Sequence, residues 1–325
     1  MAAVPQAGPE LSVVMVTPSS FEMLRQSLGH LREQTARERL EIVLVAPSRD
    51  GFERLEPELE GFWGHQVIEA DFRTTGTALA RGFRASTGPV VGYVEEHSFP
   101  EPGWAEAMIE AHRGPWAAVG VGMMNANPES ALSWAALLIA FGGSVEPQVS
   151  KEVEVLPSHH THYKRAALAP YEDRLEEMLE LEAVLYEDLR RRGERLYLAA
   201  GARERHINVS ALRSFVEGVY FGGRTFGAAR VHDDDFSALQ RLLYSAAGPL
   251  IVMVKLRRVI GEIRRIKRSR ELIPRILPAL LLGLTGFQLG ELHGYVTGSP
   301  GAAAEDRMMH ELDRSSHVAS AHEGR

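Results

Sequence analysis

Alternation between β-branched runs and helical periodicity constrains this chain more than any other feature. Residues 11–16 (LSVVMV) and 40–45 (LEIVLV) read as strands, and between them, within residues 21–37, Leu24, Leu28 and Leu31 recur at helical spacing. Ser19 with Glu22 three positions on fits a capping box opening that helix. The pattern continues with a strand at 66–69, a helix over 75–86, a strand at 89–94 and a helix over 102–112 with Pro at its start. Such alternation implies a parallel, doubly wound sheet with right-handed crossovers, whose strand ends gather polar groups along one edge.

At 325 residues the chain can bury a full core, so one large α/β domain with an appendage is expected. The net charge of −7 argues against general nucleic-acid binding, and the absence of cysteine excludes disulfides and thiolate metal sites. The opening MAAVPQAGPELS has neither a basic n-region nor an apolar core, which predicts a cytosolic start. Charge is unevenly spread: residues 251–276 carry +7, from nine basic residues against Glu262 and Glu271, leaving −14 elsewhere. A basic block in an acidic protein points to contact with an anionic surface.

From residue 117 the pattern loosens. A helix of about 20 residues is expected over 171–192, ended by Gly193, and the chain then becomes helical almost to residue 296. The expected organisation is an α/β domain at 10–230, a basic amphipathic helical region at 231–298 and a disordered tail at 299–325. Pro249, Pro274 and Pro278 interrupt the apolar stretches, so the reading favours helices lying in the interface of an anionic cytoplasmic leaflet over a spanning helix. The alternative use of these helices is packing on the sheet or forming a homo-oligomer interface.

Glu95-Glu96-His97 is the sharpest chemical feature. Leaving a strand end, the first and third residues can share a side, so Glu95 and His97 could together meet a ligand or a divalent metal; Mn²⁺ tolerates imidazole better than Mg²⁺ does. The bland alternative is a polar loop. Glu180 and Glu182 lie on a stretch crowded with acids, where a solvated face is the default. His159, His160 and His162 have no carboxylate at ligand spacing, and a lone His206 at a strand end is more often structural. Asp233-Asp234-Asp235 reads as helix capping.

The segment SVVMVTPSSFEMLRQSLGHLREQT resembles the opening of family 2 glycosyltransferases of the GT-A fold. ALARGFRASTGPVVGYVEEHSFPEPG, completed by Trp104, resembles their central helix, strand, Asp-x-Asp-type motif and Pro-x-Pro-Gly-Trp. The resemblance covers about residues 10–230 and implies transfer of a sugar from a nucleotide-diphosphate donor to an acceptor hydroxyl, with inversion. In family terms the acceptor is a glycan or lipid-linked molecule, handled by a cytoplasmic enzyme peripheral to the inner membrane face. It implies donor contacts at Thr17, Pro18, Asp50, Arg81, Glu95 and Glu96, a Mn²⁺ or Mg²⁺ corner of Glu95, His97 and His206, and acceptor contacts at His160 and Trp104. Glu182, eleven positions before Gly193, falls where the family has its acidic general base.

Departures accompany each match. Glu95 and His97 replace two aspartates, Asp50 is shifted from the family's nucleobase position, and Leu181 stands where an acid precedes the base. Together they support a rival expectation, a catalytically silent GT-A-like binding or scaffold subunit. A dinucleotide site is disfavoured because Thr17-Pro18-Ser19-Ser20, not Gly-x-Gly-x-x-Gly, follows the first strand.

Overall fold

The computed structural model describes residues 8–17, 21–71, 73–233, 236–312 and 316–318. The strands are β1 (Leu11–Val16), β2 (Leu40–Ala46), β3 (Gly64–Glu69), β4 (Val90–Tyr93), β5 (Ser98–Pro100), β6 (Ala118–Asn125), β7 (Lys151–Val153), β8 (Thr161–Lys164) and β9 (Leu196–His206). The helices are α1 (Arg25–Arg32), α2 (Thr75–Ala85), α3 (Trp104–His112), α4 (Ala131–Phe141), α5 (Arg165–Leu168), α6 (Leu175–Glu180), α7 (Glu182–Arg191), α8 (Leu212–Asp233), α9 (Ala238–Ala246), α10 (Gly248–Arg265), α11 (Ser269–Thr297) and α12 (Pro300–Leu312). Two compact units divide them, one within Met1–Met124 and Pro147–Arg205, the other within Asn125–Glu146 and His206–Arg325.

In the first unit the strand order is β3-β2-β1-β4-β8-β6-β9-β5, with β7 on β9. The pairs β2–β3, β1–β2 and β1–β4 are parallel, while β8 runs antiparallel to both β4 and β6. β2 is buried along its whole length and β1 along all but its last residue, as strands covered on both faces must be. Because β2, β1 and β4 are parallel, their C-terminal ends share one edge, and the order reverses between β1 and β4.

One polar group in this core is fully satisfied. Glu41, 1% exposed, accepts from Ser12 Oγ at 2.5 Å, Thr87 N–H at 2.7 Å and Gln66 Nε2 at 2.8 Å, tying β1, β2, β3 and the entry to β4 together. Burial pushes its carboxyl up, but these donors together outweigh burial and hold it below the ordinary carboxylate value.

The alternating elements appear where the periodicity places them, with shifted ends. The first helix starts as a 3₁₀ turn, Phe21–Leu24, before α1, and Leu24, Leu28 and Leu31 are buried. The proposed cap Ser19 lies outside the described residues. Pro102 sits in the turn before α3 rather than inside it, and Gly103, at φ 83°, provides the left-handed entry.

The single helix expected over 171–192 is broken. A 3₁₀ segment, Ala169–Arg174, leads into α6, and Leu181, at φ −128° and ψ 75°, separates α6 from α7. Packing forces the break: α6 approaches α2 so closely that a Cβ on Gly76 would lie 2.1 Å from the Glu176 carbonyl oxygen. Glu180 then accepts from the Gly76 N–H at 2.7 Å, satisfying one of the open donors at the start of α2.

The second unit is helical, built on α8 against α11. A Cβ on Gly223 would lie 2.0 Å from the Phe287 carbonyl oxygen, and one on Gly290 2.0 Å from that of Tyr220, so both helices need glycine where their backbones meet. Between them Glu291, 1% exposed, accepts from Lys255 Nζ at 2.8 Å and Tyr295 Oη at 2.5 Å and pairs with Arg230 at 3.3 Å. Pro274 and Pro278 do not break α11, contrary to the reading that they interrupt it. Burial of Leu272, Ile276, Leu280 and Leu284 holds the helix through the lost backbone bonds. By length and composition α11 could cross a membrane, and 44% of its most apolar window is buried inside the protein. Pro300–Leu312 forms α12 where composition predicts a disordered tail, because Ala303, Ala304 and Met308 bury an apolar stripe. α9 is capped by a Ser237–Gln240 capping box rather than by the Asp triplet, of which Asp234 and Asp235 lie outside the described residues.

Candidate active site

The loop after β4 delivers Glu95, Glu96 and His97 to the shared C-terminal edge. Val94 N–H bonds to the Val14 carbonyl at 3.1 Å, Ser98 N–H closes a turn on the Glu95 carbonyl at 3.0 Å, and Ser27 Oγ from α1 lies 2.8 Å from the Glu96 carbonyl oxygen. Glu95 is the centre of the corner, with His97 Nε2 at 3.1 Å, His160 Nε2 at 3.3 Å and His159 Nδ1 at 3.5 Å from its carboxylate oxygens. Glu96 is buried, 3.7 Å from His97 Nδ1.

Behind Glu95 runs a buried chain of polar groups. His160 Nδ1 lies 2.7 Å from Glu204 Oε2, and Glu204 Oε1 accepts from the Trp104 indole at 2.9 Å; all three side chains are fully buried. Burial opposes a charge on His160, but Glu204 and then Glu95 outweigh it and push its pKa up to about 10. His160 and Trp104 were expected to face an acceptor. Both are completely buried here, and the contacts run from Trp104 through Glu204 and His160 to Glu95.

Glu182 opens α7, 1% exposed, and accepts from both the His159 N–H and the Tyr163 hydroxyl. Burial raises its pKa, and the neighbouring His159, with the hydrogen bonds from Tyr163 and the His159 N–H, only partly offsets this. The same bonds hold the loop before β8 in place, where His159 takes φ 61°, a left-handed conformation costly for a side chain with a Cβ. The helix break at Leu181 turns Glu182 inward toward Tyr163 while Glu180 reaches Gly76.

The other expected contacts spread more widely. Thr17, buried, follows β1 at the same edge, and Pro18 lies outside the described residues. Asp50 is exposed in the turn after β2, its N–H donated to Ser48 Oγ at 3.0 Å. Arg81 is exposed on α2, and among the described residues no hydrogen bond or ion pair joins it to the corner. His206 ends β9 in the second unit, its Nδ1 2.9 Å from Asn208 Oδ1 and its ring edge-on to Phe141 at 5.1 Å.

Glu204 and Tyr163 were missed in the sequence, and His159 was set aside for want of a carboxylate at ligand spacing, which Glu95 supplies from 64 residues away. A period-two signal marks Glu204: in 201–205 (GARER) the glycine and both arginines are exposed while Ala202 and Glu204 are buried. The donor set at Glu95 and His97, a carboxylate beside an imidazole, suits Mn²⁺ better than Mg²⁺.

A parallel β3-β2-β1-β4 edge that opens on this acidic corner defines a GT-A-type α/β protein. Residues 12–169 match the model for glycosyl transferase family 2. Among solved structures, the mannosyltransferase PcManGT from Pyrobaculum calidifontis, in complex with GDP-Man and Mn²⁺, is similar at 16% identity and a TM-score of 0.52. That match covers 95% of this chain and 89% of that one, and it shows the fold. S. aureus TarS 1-349 matches at 16% identity and a TM-score of 0.47, covering 89% and 92% of the two chains. Comparison with curated proteins finds no match.

Proposed function

We propose that this protein is an inverting, nucleotide-sugar-dependent glycosyltransferase that adds a sugar to a hydroxyl of a glycan or lipid-linked acceptor at the cytoplasmic membrane face. The observation that carries the reading is Glu95, held at the C-terminal edge of the family 2 sheet by three imidazoles. Glu95 and His97 would hold a divalent cation; when bound, such an ion neutralises charge growing on the departing diphosphate. Glu204 and His160 fix the Glu95 carboxylate from behind, so little reorganisation is needed when the donor arrives. Glu182 takes the proton from the acceptor hydroxyl as that oxygen attacks the anomeric carbon. Its raised pKa makes it a stronger base than an ordinary glutamate.

One observation favours the rival, a binding or scaffold subunit: Glu182 is 1% exposed and both its oxygens already accept hydrogen bonds. Calorimetric titration with UDP and GDP, each with and without Mn²⁺, separates the two readings. The transferase reading expects one nucleotide to bind, more tightly with Mn²⁺. Silence under all four conditions would sink it.

A further inference from the structure

The basic block is not uniform, and its division points to a partner. Lys255 and Arg268 are consumed in ion pairs with Glu291 and Glu146, Arg265 bonds Glu262 and the Val145 carbonyl, and Arg275 bonds the Pro128 carbonyl. Arg257, Arg258 and Arg264 are exposed, with no ion pair among the described residues. They lie on the outward stripe of α10, since 250, 253, 254, 257, 258, 261 and 264 recur at helical spacing, opposite the buried Leu256, Val259 and Ile263.

That stripe changes character along its length. Its first two turns present Leu250, Met253 and Val254, 45–67% exposed, and its second half presents the arginines. α9, just before it, has no buried residue at all, yet Leu239, Leu242 and Leu243 are 58–66% exposed. Six large apolar side chains thus crowd one helical corner, and along α10 Arg257 lies about 10 Å beyond Leu250 and about 5 Å beyond Val254, at 1.5 Å per residue.

We infer that the α9–α10 corner is a wedge that enters one leaflet of an anionic bilayer tip first, with Arg257 and Arg258 at the level of the lipid phosphates. Half the hydrocarbon thickness is about 15 Å, which fits the apolar length and leaves Arg264 in water. A basic amphipathic helix lying flat would carry apolar and basic residues side by side along its whole length; here they are segregated end to end. Charge complementarity selects the occupant, since exposed arginines beside apolar tips match anionic headgroups over acyl chains. The inference rests on the membrane part of the proposed function and is independent of sugar transfer, so its failure leaves nucleotide binding untouched.

Flotation of the full chain with phosphatidylcholine vesicles, with and without phosphatidylglycerol, tests it. Binding is expected only with the anionic lipid and is expected to fall as salt rises; Arg257→Gln and Arg258→Gln should each weaken it about fivefold. Leu243→Glu with Met253→Glu should abolish it while leaving nucleotide binding and the circular dichroism spectrum unchanged. Since the chain has no native cysteine, Met253→Cys and Arg264→Cys can each carry one polarity-sensitive fluorophore. Only the label at 253 should shift to the blue and be quenched by acyl-chain quenchers. Equal shifts at both positions would mean a flat helix and overturn the wedge. Equal binding to neutral vesicles, no binding, or lipid-independent dimerisation that buries the label at 253 would each overturn it as well.

Discussion

At the scale of single residues, the carboxylates divide by what surrounds them. Glu182 is buried with its pKa raised, so in the proposed role of base it would need a pH above the ordinary carboxylate range to ionise, and the acid limb of the transfer rate should lie above 4.5. Glu182→Gln should lower kcat by about 10²–10⁴-fold with donor affinity retained, read by steady-state kinetics and calorimetry. Weakened donor binding instead would assign Glu182 to loop support. Glu41 behaves oppositely. Its folded pKa lies below the unfolded one, so its stabilisation is complete above about pH 4.5 and is lost as pH falls through the folded value. Glu41→Gln should therefore flatten the acid side of the stability–pH profile in urea unfolding. Glu41→Ala, which strands three donors, should cost about 3 kcal/mol near neutral pH.

At the scale of elements, close backbone contact decides more than propensity. Gly290 meets the Tyr220 carbonyl, so Gly290→Ala should lower stability by about 2–3 kcal/mol through separation of α8 and α11. Gly261, on exposed α10 with nothing within 4 Å of its Cβ position, should gain up to about 1 kcal/mol as Ala. Thermal unfolding of the two variants side by side distinguishes packing from helix propensity; equal shifts would refute the close-contact account. The break at Leu181 belongs to this scale too. A continuous helix over 171–192 is what its composition favours, and the approach of α6 to Gly76 prevents it.

For the molecule as a whole, the proposed donor site at the sheet edge would link binding to stability. UDP or GDP with Mn²⁺ at a hundredfold excess over its Kd should stabilise the protein by about 2.7 kcal/mol, seen as a rise in Tm. Glu95→Ala should remove that rise, because it empties the corner that three imidazoles surround. A rise that survives the substitution would place the nucleotide elsewhere.

What the sequence determined by itself was periodic. The alternation of residues 11–94, the burial of Leu24, Leu28 and Leu31, and the delivery of Glu95 and His97 past a strand end follow from side-chain period and chain direction, which are local properties. The tertiary structure alone decided which distant groups meet. His160 is separated from Glu95 by 65 residues and from Glu204 by 44, and no local rule brings three such side chains together. The same is true of Pro274 and Pro278, which end a helix in isolation yet sit inside α11 because buried neighbours outweigh two missing hydrogen bonds. Short-range geometry is written residue by residue; the charge environment of a buried group is set only when the sheet closes around it.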